Sequence, residues 1–447
     1  MKKSLFAVAA LSAIAGAAQA QSSVTVYGIL DVGYVGENTR FSGPVISSVP
    51  STTVLNPSLP VNKTGVQQQT GNQFGAGAQQ TNRLGFKGTE DLGGGMSAFF
   101  TVEIGLTPNG EQAINTGATQ NRQTFVGLKK NGIGSGSIGT QYTVVHTAVG
   151  ATDAGQQNQM MGDVIYGAAS GFASKTDATS GSTDNYTVRT NNMLKLQTEK
   201  LAGFTVTGFL TANNTNSTQY SNTQNASAAV NAGTNTGYLG GINNQNGWGL
   251  GVNYEWQKLL VTANYQSFTS KNPTSETYTY NPKNQISTGN GSISTVTTSV
   301  GAPAAWANSS GGTNVADNQA YVAGTYDFGI LKAYAQWSNR KVSAQQNSNY
   351  YIKRSAQQLG VRSFITPTVE AWASMGNGSY QAYGASQPTA HITGYQLGSN
   401  YWLSKRTNLY AIFGAFGTSN VNLTTNSGSG TVSSNANNYA VGVRHTF

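Results

Sequence analysis

The last nine residues of the chain, Tyr439 to Phe447, alternate in character from one position to the next. One alternate set is mostly apolar, and it comprises Tyr439, Val441, Val443, His445 and Phe447. The other set is small or polar, and it comprises Ala440, Gly442, Arg444 and Thr446. A period of two places the sets on opposite faces of a β-strand. Such a strand suits a barrel in the bacterial outer membrane, where one strand face meets lipid and the other meets the lumen.

The first twenty residues have the pattern of a secretory signal peptide. Lys2 and Lys3 precede an apolar run from Leu5 to Ala15, and Ala18-Gln19-Ala20 supplies small residues for a cleavage site. We expect residues 1–20 to be removed and residues 21–447 to form a transmembrane barrel domain. Loss of the two lysines lowers the net charge from +9 to +7.

The composition is unusual because the chain is neither charged nor strongly apolar. Charged residues make up 9% of the chain, against about 25% in ordinary soluble domains, and the mean hydropathy is −0.31. A barrel accounts for both values, because its lipid-facing and lumen-facing residues average out. A secreted adhesin or β-solenoid could share this composition, but it should show a short repeat, and none is found. With no cysteine, thiolate chemistry and disulfides are excluded, and we expect neither a metal nor a cofactor.

Fifteen further segments read as strands, joined alternately by short turns and long polar connections. The segment that follows Val35, up to about Gln80, is rich in Ser, Thr, Pro and Gln and is predicted to be a long connection. The predicted strands are Val24–Val35, Arg83–Glu90, Met96–Leu106, Arg122–Lys130, Gly136–Val145, Thr187–Gln197, Phe204–Thr211, Trp248–Trp256, Leu259–Ser267, Tyr321–Phe328, Leu331–Lys341, Lys353–Ile365, Thr368–Tyr380, His391–Leu403, Thr407–Gly417 and the final strand. We therefore predict an all-β fold, a closed antiparallel transmembrane barrel of sixteen strands with short turns at one end and long loops at the other.

Parity along each strand predicts which side chains point inward. Trp248, Leu250 and Trp256 share one face of their strand, while Gly249 and Gly251 lie on the other. An arginine or lysine on the lipid face costs about 2–4 kcal/mol at the middle of the membrane. Strand charges are therefore expected to face the lumen.

Several segments resemble the Gram-negative general porins, especially those of betaproteobacteria. Val24–Asp31, RLGFKGTEDLGGGM at 83–96 and Phe100–Glu103 are similar to the opening strands of that family, and NRQTFVGL at 121–128, TYDFG at 325–329, LGSNYWLSKRTNLY at 397–410 and VGVRHTF at 441–447 follow in family order. The resemblance spans most of the mature chain and is weakest in the long loops, Thr211 to Gly237 and Ser270 to Asp317. It implies a homotrimer, short periplasmic turns, and a third external loop that folds inward and narrows each pore.

The resemblance also implies a function, a location and partners. We expect a general diffusion channel in the cell outer membrane for ions and small hydrophilic solutes. Expected partners are other copies of the chain, outer-membrane lipid and lipopolysaccharide, and the barrel insertion machinery, which is expected to read Phe447. The basic residues are dispersed, which argues against nucleic acid as a partner.

Conduction needs a charged constriction rather than a nucleophile. Parity points Arg83, Lys87, Glu103 and Asp31 inward, and the resemblance places Arg83 and Arg122 on the wall opposite the third loop, with Arg189 near a third such place. The third loop, about His146 to Tyr186, carries Asp153, Asp163, Asp177 and Asp184 as possible opposing acids. The predicted constriction set is Arg83, Lys87, Arg122, Arg189, Lys195, Glu103, Asp31, Asp153 and Asp163. Because basic wall candidates outnumber acidic ones, we predict a weak to moderate preference for anions.

Three alternatives remain to be weighed. A barrel enzyme needs a histidine paired with an acid, serine or asparagine, and none of His146, His391 and His445 has such a partner in sequence, so we expect no enzyme. A substrate-specific channel would show an aromatic track or a dense basic ladder along its lumen. A surface adhesin barrel would use the long Asn/Ser/Thr-rich loops.

Overall fold

The computed structural model describes residues 23–44, 64–110, 114, 120–166, 185–216, 242–272, 313–344, 351–382, 389–425 and 428–447. The predicted signal peptide, Asp177 and Asp184 lie outside these ranges, as do most of the two long Asn/Ser/Thr-rich loops. The described residues form seventeen strands and one helix. No helix in the described ranges is long and apolar enough to cross a membrane.

The strands run antiparallel to their neighbours throughout. The helix, α1, is Val144–Thr152 and lies between the sixth and seventh strands. The strands are β1 Ser23–Pro44, β2 Thr64–Ala76, β3 Arg83–Gly93, β4 Met96–Gly105, β5 Asn121–Lys130, β6 Gly134–Tyr142, β7 Arg189–Thr198, β8 Phe204–Asn216, β9 Ile242–Trp256, β10 Leu259–Asn272, β11 Thr313–Asp327, β12 Lys332–Ala344, β13 Tyr351–Phe364, β14 Val369–Ala382, β15 Ala390–Trp402, β16 Thr407–Thr425 and β17 Gly428–Thr446.

The sheet closes on itself as a barrel of sixteen strand positions. Along one edge β1 pairs with β17, from Ile29 opposite Thr446 to Ser42 opposite Ser433. Along its other edge β1 pairs first with β3 and then, beyond Ile29, with β2. Seventeen strands therefore occupy sixteen positions, because β2 and β3 share one. The predicted sixteen-stranded antiparallel barrel is confirmed.

The prediction that the residues up to about Gln80 form only a connection was wrong, since β2 lies among them. With 22 residues, β1 is roughly 73 Å long at about 3.3 Å per residue. A strand needs only about 9–11 residues to cross the hydrocarbon, so the far ends of β1 and β2 extend beyond it. There neither strand face has to be apolar, and the segment TGVQQQTGNQFGA of β2 lacks the alternation by which strands were identified.

Parity correctly separated the outer face from the inner face in the strands where it was applied. In β9, Trp248, Leu250 and Trp256 are exposed on the outside, while Gly249 and Gly251 are buried. The final strand behaves in the same way, with Tyr439 and Val441 exposed but Ala440 and Arg444 buried. The charge of Arg444 therefore lies on the inner side, where its Nε donates to Asn408 Oδ1 at 3.0 Å.

The seam between β1 and the last residue depends on a glycine. The amide of Gly28 donates to the carbonyl of Phe447 at 3.1 Å, and the amide of Phe447 donates to the carbonyl of Gly28 at 3.2 Å. A Cβ atom at Gly28 would lie 2.3 Å from Cζ of the Phe447 ring. The ring therefore occupies the space that a side chain at this position would need.

Candidate functional site

The connection after β6 turns into the barrel instead of away from it. Thr143 caps α1, accepting the amide of His146 with its hydroxyl at 3.3 Å, and donates that hydroxyl to Thr187 O at 2.7 Å. The apolar face of α1, which includes Val145 and Val149, is buried with Tyr321 of β11. The segment formed by residues 144–166 and 185–188 is called the inner segment below.

Polar side chains of four strands hold the backbone of the inner segment against one wall of the lumen. Gln396 of β15 donates to Met160 O at 2.8 Å and to Met161 O at 2.7 Å. From β13, Gln358 accepts the amide of Val164 at 2.9 Å, and Arg354 donates to the carbonyl of the same residue at 2.8 Å. From β17, Asn438 accepts the amide of Met161 at 3.1 Å, and from β12 Gln336 donates to Thr152 O. These contacts satisfy backbone groups that would otherwise be buried without partners.

Four glycines on neighbouring strands leave room for this close approach. A Cβ at Gly414 would lie 1.9 Å from Met161 O, and a Cβ at Gly394 would lie 2.4 Å from Gly162 O. At Gly376 and Gly360 the nearest atoms of the inner segment would be 2.4 and 2.6 Å away. The position of the inner segment, and hence the width of the lumen beside it, depends on the absence of side chains at these positions.

Substituting one of these glycines should narrow the channel. Ordinary contact begins near 3.4 Å, so in Gly414→Ala the inner segment must move away from the wall by about 1.5 Å (3.4 − 1.9), towards the lumen. We expect a lower single-channel conductance than in the unmodified protein, measured in planar bilayers. Gly324→Ala is the matched control, because its new Cβ would meet nothing closer than 3.6 Å. Equal conductance in the two variants would contradict this account of the wall.

The carboxylates of the two predicted acids of the inner segment accept hydrogen bonds from backbone amides of the same segment. Asp153 accepts the amides of Gly155 at 3.1 Å and Gln157 at 2.6 Å, and Asp163 accepts the amides of Ile165 at 2.7 Å and Tyr166 at 2.8 Å. Both residues are buried, at 2% and 1% exposure. Burial, and after it the charge of nearby Asp163, raises the pKa of the Asp153 carboxyl to about 8. The carboxylates of Asp153 and Asp163 therefore face the backbone of the segment and not the lumen.

Glu103 of β4 joins the two arginines that the resemblance placed on the lumen wall. Nε of Arg122 donates to Glu103 Oε1 at 2.8 Å, and Nη1 of Arg83 lies 4.0 Å from the same oxygen. The hydroxyl of Tyr27 donates to Oε2 at 3.0 Å. The three charged residues meet because β3, β4 and β5 are consecutive neighbours. Arg83 and Glu103 have the inward parity of their strands. Arg122 has the parity of the exposed Val126, and it turns inward at a register shift, where Glu103 lies opposite Gln123 but Ile104 lies opposite Asn121. Arg83, Glu103 and Arg122 are called the wall triad below.

Exposure differs within the wall triad. The side chains of Arg122 and Glu103 are only 5% and 4% exposed, whereas that of Arg83 is 20% exposed. Arg122 also donates to the hydroxyl of Tyr142 at 2.8 Å. Arg83 is thus the member whose charge is most available to the lumen, and its Nε is oriented by the carbonyl of Thr81 at 3.0 Å.

The remaining predicted residues lie beside the wall triad or apart from it. Nζ of Lys87 is 5.4 Å from the centre of the Tyr27 ring, and Nζ of Lys195 donates to Tyr142 O at 3.2 Å, so both adjoin the triad through its tyrosines. Arg189 is buried and is the strand partner of Tyr142 across β6 and β7. Asp31, in contrast, belongs to a separate network and has no exposed surface.

Asp31 stabilises the short connection between β2 and β3. Its Oδ2 accepts the amides of Gln79 at 2.7 Å and Gln80 at 2.6 Å, and its Oδ1 accepts the hydroxyl of Tyr410 at 2.7 Å. The side chain of Gln79 then donates to Asn400 of β15 at 2.6 Å. Asp31 therefore positions residues 77–82 and does not present its charge to the lumen.

Sequence reasoning missed two buried ion pairs on the inner face of the barrel. Arg340 pairs with Asp317, with Nη2 2.6 Å from Oδ2, and Arg362 pairs with Glu370. A further nitrogen of Arg362 donates to Ala154 O at 2.6 Å. Parity along β12 and β13 was sufficient to place these arginines inside the barrel. The alternation of residues gave no indication that Arg362 contacts the inner segment.

Comparison with known proteins gives matches of several kinds. The sequence pattern of the Gram-negative porin family matches residues 7–352. An outer membrane porin protein of Bordetella pertussis is 32% identical over 206 residues, which is 46% of this chain and 46% of that protein. Outer membrane porin protein 32 of Delftia acidovorans is 30% identical over 206 residues, 46% of this chain and 48% of that protein. The chain thus spans about half the length of the curated relatives it matches.

Solved structures share the fold over nearly the whole chain. The anion-selective porin from Comamonas acidovorans covers 96% of this chain and is itself fully covered, with a TM-score of 0.57 and 17% identity. Outer-membrane-expressed OmpT of Vibrio cholerae covers 95% of this chain, with 98% of its own length matched, a TM-score of 0.52 and 16% identity. At these identities the likeness concerns the barrel fold alone.

Proposed function

Because this chain belongs to the family of Gram-negative porins, we propose that it is a general diffusion channel with a weak to moderate preference for anions. The resemblance seen in the sequence is confirmed by the family match over residues 7–352. The protein is located in the cell outer membrane. In the proposed function, ions and small hydrophilic solutes pass through the water-filled lumen without an energy source. Family membership indicates a channel rather than an enzyme.

The wall triad is the observation that carries the anion preference. It places two arginines against a single carboxylate, and Arg83 is its most exposed member. Lys87 and Lys195 adjoin the triad through Tyr27 and Tyr142. The acids that could have balanced them, Asp153 and Asp163, are buried and capped by backbone amides. The charge available to a passing ion is therefore predominantly positive.

The expected preference is modest because the lumen is wet. A unit charge about 4 Å from an ion in water contributes about 1 kcal/mol, which corresponds to a concentration ratio of about fivefold. Salt weakens this contribution, because the Debye length falls from about 10 Å at 0.1 M to about 3 Å at 1 M. Ions are thus selected only slightly, as suits a channel that must also release them.

The test is a reversal-potential measurement in planar bilayers under a gradient of KCl. We expect the sign that corresponds to chloride permeating more readily than potassium when both solutions are near 0.1 M. Repeating the measurement near 1 M should bring the potential towards zero, because the wall charges are then screened. Cation selectivity at low salt would refute the proposed preference.

A substrate-specific channel is the second function considered from the sequence. Such a channel would need aromatic side chains free to contact a solute along its lumen. Tyr27 and Tyr142 lie near the wall triad, but their hydroxyls are engaged with Glu103 and Arg122. No contact among the described residues favours a dedicated substrate over general diffusion.

The assembly is also part of the proposal. We infer a homotrimer, supported by a similar structure described as the trimer form of OmpT of Vibrio cholerae, at a TM-score of 0.52 and 14% identity. Export with cleavage after Ala20, contact with lipopolysaccharide and delivery by the barrel insertion machinery belong to the same proposal. The backbone pairing of Phe447 with Gly28 at the closing seam supports a role for this residue in assembly.

A further inference from the structure

The outer wall of the barrel is not uniformly convex. A groove of about 690 Å³ lies across β13–β17, and its lining includes Val361, Ala373, Leu397, Ala411, Phe413 and Val441. Alanines form its floor, and exposed large side chains form its sides, with Leu397 53% and Val441 51% exposed. These residues have the outward parity of their strands, so the groove opens towards lipid and not towards the lumen.

The two serines and the arginine that line this groove already have partners. The hydroxyl of Ser363 donates to Ile330 O at 2.5 Å, and the hydroxyl of Ser399 donates to Glu370 O at 3.1 Å. Arg362 is directed inward, where it binds Glu370 and Ala154 O. A cavity without available polar groups does not hold ordered water. Apart from Tyr439, the lining therefore offers apolar surface, which suits an apolar occupant.

The depth of the groove indicates which leaflet it faces. Leu331 and Ile365, which line one end, lie at the short turns that join β11 to β12 and β13 to β14. Ala411 and Phe413 follow the turn between β15 and β16 by four and six residues from Thr407, or roughly 13–20 Å at about 3.3 Å per residue. Half the hydrocarbon thickness is about 15 Å. The groove therefore lies in the half of the membrane that adjoins the short periplasmic turns.

Two cationic side chains lie at a turn that joins two of these strands. Lys405 and Arg406 form the exposed turn between β15 and β16, the strands that carry Leu397 and Phe413. The turn is held by hydrogen bonds from the amide of Arg406 to Ser404 Oγ at 3.1 Å and from Thr446 N to Arg406 O at 2.8 Å. Within the described residues no acidic side chain lies at ion-pair distance from either cation, and Glu370, the acid near the neighbouring turn, is buried with Arg362.

We propose that this groove binds the acyl chains of an anionic phospholipid of the periplasmic leaflet, whose phosphate contacts Lys405 and Arg406. The apolar lining matches the chains, and the fixed cations match the headgroup. The volume corresponds to roughly twenty water molecules at about 30 Å³ each, a size suited to a similar number of methylene groups. The site is separate from the wall triad, so it neither requires nor disturbs conduction.

The test is native mass spectrometry of the full chain in detergent micelles, titrated with phosphatidylglycerol. Two variants probe the two parts of the site, Ala411→Phe, which fills the groove, and Lys405→Gln/Arg406→Gln, which removes the cations. Each cation near an anionic headgroup contributes about fivefold in affinity, so the double variant should bind roughly 25-fold more weakly. Ala411→Phe should also lose the bound lipid.

Matched controls separate this site from general adhesion of lipid. Ala263→Phe enlarges an outward alanine of β10, and Lys129→Gln/Lys130→Gln removes two adjacent lysines at the turn after β5. Both controls should bind phosphatidylglycerol like the unmodified chain. The proposal is overturned if Ala411→Phe keeps its lipid, or if purified lipopolysaccharide binds the groove in place of phosphatidylglycerol. It is also overturned if filling the groove changes only the oligomer mass, because that result would identify a second copy of the chain as the occupant.

Discussion

Arg83→Ala is expected to lower the permeability ratio of chloride to potassium by at most about 25-fold, because loss of the charge lowers chloride occupancy about fivefold and raises potassium occupancy by the same factor. Arg83 is the most exposed member of the wall triad, and a unit charge about 4 Å from an ion in water contributes about 1 kcal/mol. Its removal leaves Glu103 paired with Arg122 alone, so the positive excess of the triad disappears. The measurement is the reversal potential near 0.1 M KCl, recorded beside single-channel conductance.

Variants of the other two members give this prediction opposing controls. Arg122→Ala should shift selectivity in the same direction, because Glu103 then has only Arg83 to pair with. Glu103→Gln should shift it towards anions, since both arginines keep their charge while the side chain keeps its shape. The double variant Arg83→Ala/Glu103→Gln restores the original net charge and should return close to the original ratio. Unchanged selectivity and conductance in both arginine variants would remove the triad from the constriction.

The inward orientation of Arg83 and Glu103 could be predicted because lipid enforces parity. The cost of a cation on the outer face is large enough to fix the orientation of a whole strand from one charged residue. Arg122, in contrast, has the parity of the exposed Val126 and was placed on the wall by the resemblance, because the register shift that turns it inward leaves no sign in the alternation. The same rule was available for Arg354 and Arg362 on β13, which sequence reasoning did not single out.

The roles of the acids could not be predicted in the same way. Parity says that Asp31 points inward, but nothing in the alternation tells that the amides of Gln79 and Gln80 meet it. Asp153 and Asp163 lie in a connection without periodicity, where a carboxylate can cap the local backbone instead of facing a solute. Whether a buried acid acts on ions or on its own chain depends on contacts between distant segments.

The glycines that lie against the inner segment show a second limit of prediction from the alternation of residues. In a strand, Gly394 and Gly414 read as small members of the lumen face, and an empty lumen would accept larger residues there. Only the inner segment, lying against them, explains why no side chain fits. Likewise the far part of β2 shows no apolar alternation, because it pairs with the end of β1 that extends beyond the hydrocarbon. Parity cannot predict elements that lie outside the hydrocarbon or inside the lumen, because lipid does not contact them.

Asp31→Ala is expected to destabilise the barrel by about 3–5 kcal/mol, since burial leaves the donors of Gln79, Gln80 and Tyr410 with no carboxylate to bind. Each buried donor that loses its partner costs about 1–3 kcal/mol, partly offset where water enters. Asp31→Asn keeps one acceptor oxygen and should cost about half as much. The measurement is denaturant unfolding in lipid vesicles, followed by tryptophan fluorescence.

Asp91→Ala is the control, because this exposed carboxylate accepts only the amide of Gly93, at 2.9 Å, and should change stability by less than about 1 kcal/mol. Equal stability of Asp31→Ala and Asp91→Ala would mean that the break between β2 and β3 is held by Gln79 and its asparagine partners instead of by the carboxylate.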